Sequence, residues 1–332
     1  MTTPRRAFAR TLAVAACTLT ARAQPGAKVA RIGILLMTAP DSAEQRPTFD
    51  AFRSALRQLG YEEGRNLVLD FRVADGRVER FPALARELVA LGPDVIVTGP
   101  TPAARGAQQA TATIPIVAVA MQDPVGDRLV ASLARPGGNL TGLTFLGPEL
   151  APKCLSLLKE AVPGATRIAL LWHPGSIGED TAKALFERTE DAARTLGVQL
   201  QPVALRDGGD LERGFAAVTR ERAHALLLFP GPVLFTERRR IAALAAAHRL
   251  PSIGNAREYA DLGCLLSYGA SIAGLYRRGA GYVDRILKGA KPGELPIEQP
   301  TTFELVINLK TARALGIAIP QTLRLRADEV IE

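Results

Sequence analysis

Hydrophobic positions along this chain come in two alternating kinds, short aliphatic runs and longer stretches in which apolar residues recur every three to four positions. Ala30 to Met37, Asn66 to Val73, Asp94 to Thr98 and Ile114 to Ala118 are short runs bounded by polar or turn-forming residues, which predicts strands. Between them, Thr48 to Leu59, Val78 to Leu91 and Ala103 to Ala110 carry the helical period. Strand-helix-strand repetition calls for crossovers, so the sheet is predicted to be parallel and covered by helices on both faces.

The pattern then begins again. Pro152 to Ala161, Ala182 to Leu196, Leu211 to Arg220 and Thr236 to His248 read as helices, and Arg167 to Trp172, Val198 to Ala204, Ala225 to Phe229 and Pro251 to Ile253 as strands. The stretch Gly137-Gly138-Asn139-Leu140-Thr141-Gly142 is the expected passage between the two sheets. Beyond Leu265-Leu266-Ser267-Tyr268-Gly269 come a helix, Ile272 to Leu287, a proline-bounded segment, Pro292 to Pro300, a strand, Thr302 to Asn308, and a helix, Lys310 to Leu315. These exceed what a second sheet needs, so the chain is expected to return to the first lobe and cross once more. The fold class is thus α/β, with two lobes built on parallel sheets. Residues 28–142 plus 269–298 are assigned to the first lobe and 143–268 plus 299–332 to the second.

The first 23 residues stand apart. Arg5-Arg6-Ala7-Phe8, an apolar run from Leu12 to Leu19 and Ala21-Arg22-Ala23 have the form of an export signal with a cut after Ala23. The run is far shorter than the ~20 residues of a membrane-spanning helix, so no transmembrane segment is expected in the mature chain and the expected location is the periplasm. A second reading takes Val14-Ala15-Ala16-Cys17 as a lipoprotein box with Cys17 lipidated.

With 332 residues and 47% apolar content, the chain can bury two ordinary cores. The net charge of +8 looks basic, but Arg5, Arg6, Arg10 and Arg22 lie in the acid-free leader and account for half of it. The densest remaining basic spots, Arg238-Arg239-Arg240 and Arg277-Arg278, sit in helical patterns without interleaved aromatic residues, which argues against nucleic acid as a partner. Cys154 and Cys264 could pair in an oxidising compartment or stand as two buried small hydrophobes. The histidines His173, His224 and His248 lack ligand spacing, so neither a metal nor another cofactor is expected.

Catalytic signatures fail. No phosphate loop, nucleophile elbow or zinc-protease helix is present. Ser156-Leu157-Leu158-Lys159 matches a nucleophile pattern without its companion motifs, and Gly279-Ala280-Gly281 lies inside a helical pattern rather than after a strand. What the sequence offers instead are strand ends able to hold a small molecule. Gly99-Pro100-Thr101-Pro102 follows a strand, with Thr101 placed to cap the next helix and its free amides suited to a carboxylate. Asp123, before Pro124, is placed either to hold an ammonium or to open a turn. Thr38 and Asp41 follow the first strand, Trp172 offers an amphipathic surface or a structural edge, and Tyr268 sits at the presumed crossover.

Taken together these segments resemble the substrate-binding proteins of ABC transporters, in particular the family often labelled as tryptophan/tyrosine transport components. The likeness is carried by Leu59-Gly60-Tyr61-Glu62-Glu63-Gly64-Arg65-Asn66-Leu67, Asp123-Pro124-Val125-Gly126, Ser132 through Gly142, Tyr282 through Pro292, Leu295 through Thr301, Val306 through Ala312 and Ala327 through Glu332. Cys154 and Cys264 depart from the residues usual in relatives. The resemblance implies a type I periplasmic binding protein with two Rossmann-like lobes and three hinge crossovers, a small organic solute such as an amino acid or related carboxylate in the interlobe cleft, an inner-membrane ABC permease as partner, and no catalysis. The alternatives are an exported ligand sensor or a small-molecule hydrolase using the same cleft.

Overall fold

The computed structural model describes residues 29–145 and 147–332, without the side chains of residues 147–149. The export signal and Cys17 lie outside the described residues. The chain first builds β1 (Ala30–Leu36), α1 (Arg46–Gln58), β2 (Leu67–Val73), α2 (Phe81–Ala90), β3 (Val95–Pro100), α3 (Thr101–Ala110), β4 (Ile116–Met121) and β5 (Leu140–Thr144). These five strands form one parallel sheet in the order β2-β1-β3-β4-β5. Six of the seven residues of β1 are buried, the continuous burial expected of a parallel strand covered on both faces. On one face Phe49, Phe52, Ala55 and Leu56 of α1 pack down at helical spacing; on the other, Phe81, Leu84, Ala85 and Leu88 of α2 join Ala103, Ala104 and Ala107 of α3.

The second lobe comprises α4 (Gly147–Ala161), β6 (Arg167–Trp172), α5 (Glu179–Thr195), β7 (Gln199–Ala204), α6 (Leu211–Arg220), β8 (Ala225–Leu228), α7 (Pro232–Thr236), α8 (Arg238–Ala247), β9 (Ser252–Gly254), α9 (Arg257–Asp261) and β10 (Leu266–Gly269). The chain then forms α10 (Ile272–Leu287), β11 (Glu304–Asn308), α11 (Leu309–Leu315), α12 (Gln321–Arg324) and β12 (Glu329–Ile331). Seven strands in the order β12-β11-β10-β9-β8-β6-β7 make the second sheet. One pairing departs from the all-parallel expectation: β11 runs antiparallel to β10, because the chain re-enters this sheet from the far side of the hinge.

The polypeptide crosses between the sheets three times, after β5, between β10 and α10, and between Glu298 and β11. Helix α10 belongs physically to the first lobe, where Leu275, Tyr276, Val283 and Ile286 share a core with α1 and β1. The first crossing falls later than the glycine-rich stretch suggested. Leu140, Thr141 and Gly142 are paired with β4, so they belong to the first sheet. Gly142 sits at φ +137° with its Cα against the Ala118 carbonyl; a Cβ there would lie 1.9 Å from that oxygen, so the glycine serves close strand approach rather than a linker. At the hinge Tyr268 stacks on Phe303, ring centroids 5.9 Å apart, and touches the cores of both lobes. Cys154 and Cys264 are buried free thiols in separate clusters.

Candidate functional site

Between the lobes lies a cavity lined by Met37, Thr38, Glu44, Gln45, Thr48, Gly99, Thr101 and Gln122 from the first lobe, with Tyr276 and Ile272 of α10. Its opposite wall is Gly231, Pro232, Phe235, Thr236 and Asn255 of the second lobe, and Phe145 closes it at the first crossing. It encloses about 90 Å³ open to the centre of a water molecule, room for roughly six to nine waters at ~10–15 Å³ each. That is the scale of a single amino acid rather than a polymer segment.

The position follows from the topology. The first-lobe lining comes from the carboxyl ends of β1, β3 and β4, where an open α/β sheet holds its ligands. The N-terminus of α3 opens directly onto the cavity through Gly99, Pro100 and Thr101. The expected cap is corrected here: Pro100 occupies the N-cap position, Thr101 is the first helical residue, and no side chain caps the helix. The Thr101 hydroxyl instead accepts from the Gln122 backbone N–H at 3.0 Å, tying β4's end to α3. Among the described residues the first-turn amides of α3 are thus left without a side-chain cap, an arrangement that favours an anion.

Within the same lobe, Gln45 donates to Thr48 Oγ1 at 3.0 Å and also hydrogen-bonds the Tyr276 hydroxyl. Burial pushes the Tyr276 phenol up to about 12, so it stays a neutral hydrogen-bonding group. Gly99 is required by this contact, since a Cβ there would sit 2.6 Å from the Tyr276 hydroxyl oxygen. Glu44 is the one charged side chain among the described lining residues. Phe145, Phe235 and Tyr276 supply aromatic wall, and the Arg238 guanidinium lies over the Phe235 ring, 4.2 Å from its centroid.

Of the residues singled out from sequence, the structure brings Thr38, Gly99 and Thr101 into the cavity and leaves Asp41, Asp123, Trp172 and Tyr268 outside its lining. Asp123 acts as a turn opener, its Oδ1 accepting from the Gly126 N–H at 2.8 Å. Trp172 packs edge-on against Phe186 with centroids 4.9 Å apart, in the second lobe's core layer. Asp41 is exposed, its carbonyl taking the Arg46 guanidinium at 2.8 Å. Gln45, Thr48, Gln122, Asn255, Phe235 and Tyr276 line the cavity too and are not among the residues singled out from sequence. Asn255 and Gln122 each follow a strand and were within reach of the strand-end rule, whereas Tyr276 lies mid-helix, where nothing local separates a cavity wall from core.

The cleft is shut. Gln122 Nε2 donates to the Pro230 carbonyl at 2.9 Å, Arg238 Nη2 to the Glu44 carbonyl at 2.8 Å, and the Gly178 N–H to Asp127 Oδ1 at 2.7 Å, each across the two lobes.

Residues 31–331 match the family model described as ABC transporter substrate binding protein. The chain belongs to that family. It is 24% identical over 278 residues, 82% of this chain and 79% of the relative, to a protein of Clostridioides difficile named tyrosine-binding protein. Among solved structures it is similar to a conserved domain protein from Vibrio cholerae (31% identity, 91% of this chain and 100% of that one, TM-score 0.83). It is similar also to an ABC domain in complex with L-Trp from Streptococcus pneumonia (26% identity, 91% and 99% coverage, TM-score 0.82). The substrate-binding protein has the two-lobed, type I periplasmic binding protein fold. Among the described residues no helix is long and apolar enough to cross a membrane.

Proposed function

We propose that this substrate-binding protein is exported to the periplasm, closes its lobes on a single amino acid with an aromatic side chain, and hands it to an inner-membrane ABC permease without chemical change. In this reading the first lobe comprises the β1–β5 sheet with α10 and the second the β6–β12 sheet, the two turning about Phe145, Ala270 and the segment before β11. The carrying observation is the pairing, within one closed cavity, of an uncapped helix N-terminus at Thr101 with a lone carboxylate at Glu44, beside aromatic walls. An amino acid zwitterion presents those two charges in reverse. The ligand's carboxylate goes to α3, its ammonium to Glu44 rather than to Asp123, and its ring to the space between Phe145, Phe235 and Tyr276. Asn255 and Gln122 orient the polar end from opposite lobes. The name of the Clostridioides difficile relative and the L-Trp carried by the Streptococcus homologue support the same class of solute.

Closure biased by a ligand that touches both lobes is a population shift, and the folded state gains stability with ligand concentration. A thermal-shift screen of the purified protein against the twenty amino acids and small organic acids, followed by calorimetry, tests the reading. L-tyrosine, L-tryptophan or L-phenylalanine is expected to raise the melting temperature, and their deaminated analogues to do so far less. Stabilisation by carboxylic acids irrespective of the ammonium would refute the assignment.

A further inference from the structure

Two buried ionic side chains reach across the closed cleft and neither lines the cavity, while an exposed ion pair, Arg128 to Asp180 at 2.7 Å, spans it at the surface. Asp127, on the loop after β4, has a fully buried carboxylate that accepts from the N–H of Gly178, the N-cap residue of α5 in the opposite lobe, with the Thr181 hydroxyl beside it. Arg238, at the start of α8, is 4% exposed and donates to the Phe235 carbonyl at 2.6 Å within its own lobe and to the Glu44 carbonyl at 2.8 Å in the other. In both cases the hydrogen bond that the other lobe supplies comes from neutral backbone, and the Glu44 carboxylate attracts Arg238 across the cleft without forming an ion pair with it among the described residues. The cation nearest Asp127 is Arg105 at 3.8 Å, which rides on α3 of the same lobe and moves with it. Among the described residues Asp127 Oδ2 and Arg238 Nε have no hydrogen-bond partner.

We propose that Asp127 and Arg238 are closure gates: each charge leaves water for a neutral backbone partner when the lobes meet, so the empty protein is held open until a ligand supplies the missing free energy. Taking a charge out of water is repaid only where partners satisfy it fully, and an incompletely satisfied ion opposes the state that buries it. Burial is the largest influence on both groups, raising the Asp127 carboxyl and lowering the Arg238 guanidinium, in each case against the charged form; it outweighs the Thr181 hydroxyl, the Gly178 amide and Arg105 at the first site, and the attraction of Tyr259, Glu258 and Glu44 at the second. The device suits a receptor that reports occupancy through its shape, because an empty protein that closed readily would compete for the permease. It rests on the hinge-closing reading above but not on the identity of the solute.

The test is small-angle scattering on unliganded protein, compared with the radius of gyration calculated from this closed structure. Asp127→Asn removes the charge and keeps an oxygen for the Gly178 amide. Arg238→Gln removes the other charge and keeps an amide donor. The wild type is expected to scatter as an ensemble larger than the closed structure, and each variant to shift toward the closed value, the double variant furthest. Variants that stay as extended as the wild type, or expand further, overturn the proposal, as does a wild type already at the closed value without ligand. Circular dichroism melts on the same samples confirm that the variants are folded. No ligand is added, so failure of the amino acid screen leaves this result standing, and failure here leaves that screen standing.

Discussion

Gly99→Ala is a small change whose consequence the geometry defines closely. The added Cβ would meet the Tyr276 hydroxyl oxygen at 2.6 Å, a separation real Cβ atoms essentially never show, while the next atom of that ring, Cζ, stays at an ordinary 3.8 Å. Tyr276 cannot simply swing aside, since it is buried in the α1–α10 core and its hydroxyl is held by Gln45. Overpacking of this kind costs about 1–3 kcal/mol, which for a chain of this size lowers the melting temperature by several degrees. Because Gly99, Gln45 and Tyr276 all line the cavity, the displaced hydroxyl also weakens solute binding. Tyr276→Phe alone loses one buried hydrogen bond, about 1 kcal/mol. In the double variant the clash has no oxygen to act on, so Gly99→Ala is expected to cost almost nothing when added to Tyr276→Phe. Melts of the four proteins in a double-mutant cycle measure the coupling. If the two single effects add, the contact is not what restricts position 99 to glycine and this account of the cavity wall fails.

Other expectations concern separate parts of the molecule. Glu44→Gln is expected to weaken binding of an aromatic amino acid by about 10- to 150-fold in calorimetry, the equivalent of a charge-assisted hydrogen bond of about 1.5–3 kcal/mol, and to leave the deaminated acid unaffected; equal loss for both would remove Glu44 from ammonium recognition. Gly142→Ala places a Cβ 1.9 Å from the Ala118 carbonyl oxygen at φ +137°, so it should be among the most destabilising substitutions, of the order of 4 kcal/mol or more, seen as a collapse of the melting temperature or of soluble yield. Burial lowers the His173 imidazole below its ordinary 6.5, so its contribution to stability is intact above that pH and is lost as pH falls through the folded-state value. The melting temperature of the wild type should therefore drop relative to His173→Gln between about pH 7.5 and pH 5.5, and parallel curves would contradict it.

Much of the architecture was legible along the chain, because parallel strands buried on both faces give unbroken aliphatic runs such as Ile32 to Met37 and Ala225 to Phe229, and the helices over them keep a visible apolar stripe. Short elements escaped. α7, α9, α12 and β12 span three to five residues each, too few for a period to declare itself. The role of Gly142 was misread because a glycine needed for strand contact and one in a linker look alike in sequence.

The site divides along the same line. Local signals at strand ends pointed to Thr38, Gly99 and Thr101, which line the cavity, since an open α/β sheet puts its crevice there whatever the side chains. They also raised Asp123, whose carboxylate is committed to a local turn, and Trp172, which belongs to packing. The sequence by itself therefore determined two sheets, their cover of helices and the sheet edge at which the cavity opens, because periodicity and strand burial are properties of neighbours along the chain. Only the tertiary structure decided that Glu44, Tyr276, Phe235 and Asn255 share one cavity and that Asp127 and Arg238 reach across it. Those meetings depend on three passages between lobes and on the angle at which the halves close, and no local pattern records either.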